Sequence, residues 1–199
     1  DPIQYIYAPD LTQLSASHDT ETQLYGESLA TSIKLIIGPN LQSLKLCFMP
    51  CHNLQTAIIE APNGCNVTDM SWAFNTDGGY LTTVVLPDTS KVTNMEGMFA
   101  NNWSSFEHCP SFDTSKVTNI NKMFFNCAQL KEIPNLTFGK VENADNAFIG
   151  TWGGNTGILR AYNNLSSQIT PPSSHEDTFT YSGRDSVTGS AELAQIPDD

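Results

Sequence analysis

The chain has 199 residues, 9 of them Lys or Arg and 21 Asp or Glu, for a formal charge of −12. That field repels polyanions, so binding to nucleic acid or to an anionic membrane surface through phosphate contacts is disfavoured. No apolar run reaches the roughly 18 residues that a membrane-spanning helix needs, and only 15% of residues are charged, with Ser, Thr, Asn and Gln making up the difference.

The chain begins at Asp1 without a Met and is expected to be a mature product or an excised fragment. Residues 1–31 are expected to form an N-terminal cap with a degenerate first repeat. Ile3 and Ile6 recur as Ile33 and Ile36, which predicts an edge strand near Ile3–Tyr7. Pro9-Asp10-Leu11-Thr12-Gln13-Leu14 matches Pro39-Asn40-Leu41-Gln42-Ser43-Leu44, placing that first repeat at Leu11. The polar stretch from Ser15 to Ser28 is expected to be a loop.

Residues 32–165 are dominated by one phrase. Lys91-Val92-Thr93-Asn94-Met95-Glu96-Gly97-Met98-Phe99 returns as Lys116-Val117-Thr118-Asn119-Ile120-Asn121-Lys122-Met123-Phe124. Looser copies start at Asn66 and Lys140. Origins at Val67, Val92, Val117 and Val141 lie 25, 25 and 24 residues apart, and Leu41 stands 26 before Val67. Leu165 lies 24 beyond Val141 and marks a last, degenerate copy. A fixed period of this length is the signature of a repeat architecture.

Each unit has two halves. Val92, Met95, Met98 and Phe99 are spaced as one face of a short helix. Thr93 with Glu96 has the form of a capping box, so the helix is expected to start there. The second half carries apolar pairs three apart: Leu54/Ala57, Leu81/Val84, Phe106/Cys109 and Leu130/Ile133. Pro87, Pro110, Pro134 and Gly139 limit it to a short extended segment. The expected fold class is therefore an α/β repeat solenoid, leucine-rich-repeat-like, with short parallel strands stacked against short helices and 24–26 residues per repeat. Residues 166–199, with Pro171-Pro172 and many Ser and Thr, are expected to be a C-terminal cap and a polar, irregular extension.

Asp88-Thr89-Ser90-Lys91-Val92-Thr93-Asn94-Met95-Glu96-Gly97-Met98-Phe99 and Phe112-Asp113-Thr114-Ser115-Lys116-Val117-Thr118-Asn119 resemble the BspA-like leucine-rich-repeat surface proteins. Phe125-Asn126-Cys127-Ala128-Gln129-Leu130 continues the likeness. The resemblance is specific in the units at Val92 and Val117. It implies an extracellular adhesion or protein-binding role without catalytic residues. Residues 1–31 and 170–199 depart from it.

The chemistry-bearing residues fit a non-catalytic reading. Asp69, Asn94, Asn119 and Asn143 share one repeat position, where a short polar side chain satisfies backbone groups at a tight bend. Asp88 and Asp113 share another, each beside a Lys, and fall short of the six to eight oxygens that calcium takes. No cofactor or metal is expected. Cys47 aligns with Met98 and Met123, and Cys109 with Val84 and Ile133, as small core residues. Cys51 and Cys127 share a position three repeats apart, too far for a bridge, so the five cysteines are expected to be mostly or wholly free. His18, His52, His108 and His175 make no metal pair. His108 and Cys109 are neighbours expected to point to opposite sides, which argues against a nucleophilic pair. Asn66, Asn102, Asn135 and Asn164 begin Asn-x-Ser/Thr triplets, as chance allows in this composition.

The outward strand positions Gln55, Thr56, Thr82, Thr83, Glu107, His108, Lys131 and Glu132 are the first candidate binding surface. Trp103 and Trp152 are a second, as exposed aromatics that anchor a protein or stack on a sugar. The expected function is a non-enzymatic extracellular or surface module that binds a protein or glycan partner. The alternative is a structural component of a virion or fibre that docks onto neighbouring subunits through its C-terminal extension.

Overall fold

The computed structural model describes residues 3–10, 29–49, 51–77, 79–131, 133–134, 136–151, 157–168 and 172–179. The expectations for a repeat at Leu11, a loop from Ser15 to Ser28, the roles of Glu132 and Trp152, and the end of the C-terminal extension fall outside them.

Four strands form one parallel sheet in chain order: β1 (Gln4–Ala8), β2 (Ser32–Ile37), β3 (Thr56–Glu60) and β4 (Thr83–Val85). One face packs inward through Ile33, Leu35, Ile37, Ala57, Ile59 and Val84, all buried. Alternation along β2 leaves Ser32, Lys34 and Ile36 on the other face. The edge strand is where the sequence placed it, but one residue out of register. Gln4 pairs with Ile33 and Ile6 with Leu35, not Ile36. Matching Ile3/Ile6 to Ile33/Ile36 assumed a spacing of three, which a strand of period two cannot keep on one face.

The other half of each repeat is not helical, which corrects the expected layer of short helices. Ser43, Asp69, Asn94, Asn119, Asn143 and Ser174 form a ladder of isolated parallel bridges, each followed by a tight turn. The backbone accounting shows why. The N–H groups of Met95, Gly97, Phe99 and Asn101 donate to the carbonyls of Asn119, Asn121, Met123 and Phe125 in the next coil, at 2.7–2.9 Å. Between them, the N–H of Met98 donates to Met95 O at 3.2 Å and that of Ala100 to Gly97 O at 3.0 Å. Alternating inter-coil and three-residue turn bonds leave none for a helical i→i−4 ladder.

A left-handed residue in each turn enforces the break: Leu46, Trp72, Gly97, Lys122, Asn146 and Asp177 all have φ between 52° and 59°. Only one of the six is glycine, and a side chain reason fixes it. A Cβ at Gly97 would lie 2.4 Å from the Trp72 ring of the preceding coil.

Five residues after each bridge stands a phenylalanine. Phe48, Phe74, Phe99, Phe124, Phe148 and Phe179 stack ring on ring, with centroids 5.2–5.6 Å apart. This column is the axis of the core, flanked by Val67, Val92, Val117 and Val141 and by the predicted pairs Leu54, Leu81, Phe106 and Leu130, all buried.

The one helix among the described residues, α1 (Gly157–Ser166), sits where a further strand would be expected. Ile158, Ala161 and Leu165 are buried at helical spacing, so Leu165 is a helix core residue. Side-chain amides do here what a neighbouring strand's backbone would do. Asn164 Oδ1 accepts the N–H of Phe138 at 2.7 Å, and Gln168 Oε1 accepts that of Val141 at 2.8 Å. Beyond the helix, Ser174–Phe179 adds another stacked turn, with the N–H of Ala144 donating to Ser174 O at 2.8 Å. The inserted helix stretches this interval to 31 residues between Asn143 and Ser174, which hid the copy from a search at 24–26.

Candidate interaction surface

The structure assembles the predicted strand positions in two groups. Thr56 pairs in register with Thr83, and Ser32 continues their row. Thr82 donates its N–H and its Oγ1 to Gln55 O, at 2.8 and 3.0 Å. Further along, the N–H of Lys131 donates to Glu107 O at 2.9 Å, and Lys131 Nζ pairs with Glu107 Oε2 at 2.6 Å. The His108 ring lies 3.9 Å from the same carboxylate. The hydrogen bond from Lys131 holds the Glu107 carboxyl below its ordinary range. Gln55, Thr82, Glu107 and Lys131 thus mark equivalent places in four successive coils, with exposed side chains at Gln55, Thr82 and Lys131.

The sequence did not single out the part of this face that is most apolar. On the outer side of the sheet, Tyr5, Lys34, Ile58 and Val85 are register partners across all four strands, and Tyr7, Ile36 and Glu60 form the next row. Tyr5 is 66% exposed and Tyr7 70%. Ile3 and Val85 are also exposed, while Ile36 and Ile58 are half-buried. Lys34 Nζ pairs with Glu60 Oε1 at 2.7 Å and lies 6.0 Å from the Tyr5 ring centre. The signal was present in the alternation Ile3-x-Tyr5-x-Tyr7, once β1 is read with period two.

The polar residues of the turns are structural. The side-chain oxygens of Asp69, Asn94, Asn119 and Asn143 each accept the N–H two residues on, at 2.9–3.1 Å. Asn94, not Thr93, therefore caps the turn in its repeat. Asp88 and Asp113 do the same for the N–H groups of Ser90 and Ser115, and both carboxyls are held low by these seryl hydrogen bonds.

All five cysteines are free. Burial pushes the Cys47 and Cys109 thiols well up, raises that of Cys65, and takes Cys127 up to about 12, so none of these four is poised as a thiolate nucleophile. Cys51, Thr76, Asn102, Cys127 and Thr151 line one buried column. Asn102 Nδ2 donates to Phe74 O and Phe99 O at 2.9 and 2.8 Å, Cys127 Sγ donates to Phe99 O at 3.1 Å, and Thr151 Oγ1 donates to Phe148 O at 2.7 Å. The triplet at Asn102 thus belongs to a buried side chain.

Four parallel strands and a ladder of bridged turns define a repeat-like α/β protein. The family model described as Mycoplasma protein of unknown function, DUF285, matches residues 42–159, and the chain belongs to that family, which is related to the BspA-like surface repeat proteins. No curated protein and no solved structure matches the chain. Among the described residues, no helix is long and apolar enough to cross a membrane.

Proposed function

We propose that the chain is a non-enzymatic binding module displayed outside the cell. In this reading the repeat is a leucine-rich-repeat-like solenoid, and the outer face of β1–β4 with the adjoining ladder at Gln55, Thr82, Glu107 and Lys131 receives a protein partner. One observation carries it: an outer sheet face that holds Tyr5 and Tyr7 at 66% and 70% exposure beside Ile36, Ile58 and Val85. Parallel sheets are ordinarily covered on both faces, and an apolar outer face of this kind invites a cover. Tyrosines that combine a large apolar body with a hydroxyl are favoured anchors at protein interfaces. A net charge of −12 disfavours a second copy as the cover and favours a partner with a basic rim.

The test is binding to a printed array of purified secreted and cell-surface proteins. The wild-type chain is compared with Tyr5→Ser/Tyr7→Ser, and with Lys116→Ser on an exposed turn as control. The reading expects defined array proteins to be bound by the wild type and the control and lost by the double variant. Binding that ignores the tyrosines would refute the assigned face.

A further inference from the structure

The corner around Trp103 is a separate feature that the sheet face does not explain. Trp103 is 50% exposed, and Tyr80, which follows Gly79 in the preceding coil, is 52% exposed. The indole is not a free arm. A Cβ placed on Gly79 would lie 3.1 Å from Trp103 Cε2 and 3.3 Å from Nε1, so the indole packs closely against the Gly79 α-carbon. Gly79 has φ of 68°, a conformation that favours glycine, and Ser104 Oγ donates to Gly79 O and ties the two loops together. The indole is therefore held against backbone at Gly79 while half of the residue stays exposed. Short neutral hydrogen-bonding groups flank it in the chain: Ser104 and Ser105 follow it, and two residues before it Asn101 Oδ1 accepts from Asn126 Nδ2 at 3.5 Å.

We infer that this corner is a carbohydrate platform that stacks a neutral hexopyranose ring on Trp103, with Tyr80 beside it. A clamped aromatic loses little freedom when a ring settles on it, which is the condition for useful affinity from one flat contact. The C–H face of a pyranose is apolar and complements the negative face of the indole, while its hydroxyls suit amide and hydroxyl partners. Nucleobases also stack on such platforms, but a chain at −12 repels their phosphates, and sialylated or sulfated sugars are disfavoured by the same field. The inference stands independently of the partner assigned to the sheet face.

The experiment exposes the full chain to an array of neutral glucose, galactose and N-acetylglucosamine oligosaccharides, with sialylated glycans and heparin fragments as anionic controls. Wild type binds at least one neutral series. Trp103→Ala weakens it at least about fivefold, the lower end of what one stacked ring contributes, while Trp103→Phe recovers part of the loss and the urea midpoint of each variant stays near wild type. Should Trp103→Ala fail to fold, Tyr80→Ala carries the same expectation of weaker binding. Absence of neutral binding, preference for the anionic controls, or wild-type binding by the folded variant overturns the proposal.

Discussion

Replacing Phe99 with alanine is predicted to cost far more than the same change at the end of the phenylalanine column. Phe99 is fully buried and meets four rings: Phe74 at 5.4 Å, Phe106 at 5.2 Å, Phe112 at 6.0 Å and Phe124 at 5.5 Å. Phe48 is buried as deeply and stacks on Phe74 at 5.3 Å. A buried Phe→Ala change costs about 3–5 kcal/mol in transfer and cavity terms. Each aromatic pair adds about 0.5–1.5 kcal/mol beyond area. With three more ring partners, Phe99→Ala should exceed Phe48→Ala by about 1.5 kcal/mol or more. The total stability of a domain is only about 5–15 kcal/mol, so Phe99→Leu is the fallback if the alanine variant does not fold. The assay is urea unfolding followed by circular dichroism. Equal costs at the two sites, within about 0.5 kcal/mol, would refute the stacked column as the axis of the core.

Four further expectations follow from the same coordinates of bonds and burial. Thr89 Oγ1 donates to Asp113 O at 2.9 Å and accepts its N–H at 2.8 Å, whereas Thr114 Oγ1, one coil on, is buried without a hydrogen-bond partner. Thr89→Val should cost about 1–3 kcal/mol in urea unfolding and Thr114→Val close to nothing; equal effects would contradict the inter-coil role of Thr89. Asn119→Ala removes the acceptor for the Asn121 N–H and the donor to Glu96 Oε2 and should cost about 1 kcal/mol or more, while Asn119→Asp keeps the acceptor but sets a carboxylate against Glu96 and should recover only part of the loss. The buried thiols have raised folded pKa values, so their contribution is complete below the ordinary cysteine pKa and is lost as pH rises. The urea midpoint should fall from pH 9 toward 12, by at most about 1.4 kcal/mol per pH unit per thiol, and Cys127→Ser should flatten the slope. Asp88, Asp113 and Glu107 have lowered pKa values, so their smaller contribution is present at neutral pH and lost below the ordinary carboxylate range, which an acid titration of the midpoint would reveal.

The repeat, its origins and the core were legible because burial writes a periodic signature: Val67, Val92, Val117 and Val141, and the pairs from Leu54/Ala57 to Leu130/Ile133, are buried as their spacing implied, with only Cys109 partly exposed. Free cysteines followed from the same frame. The helix was misread because apolar residues at i, i+3, i+6 and i+7 also fit a tight turn. Distinguishing the two needs the φ sign at Gly97 and Lys122, and a non-glycine residue in the left-handed region leaves no mark in composition. The exposed Tyr5 and Tyr7 face was missed because it lies at the N-terminal end, where the repeat phrase is absent. Of the candidate positions, Gln55, Thr82, Glu107 and Lys131 stand at equivalent places in successive coils and Trp103 is half exposed, whereas Glu132 and Trp152 lie outside the described residues.

The most direct measurement is the protein-array comparison of wild type with Tyr5→Ser/Tyr7→Ser, read together with circular dichroism. The account predicts defined secreted or surface proteins bound by the wild type and lost by a folded double variant. Undiminished binding by that variant, or no array protein bound by either, would contradict a binding module built on the outer sheet face.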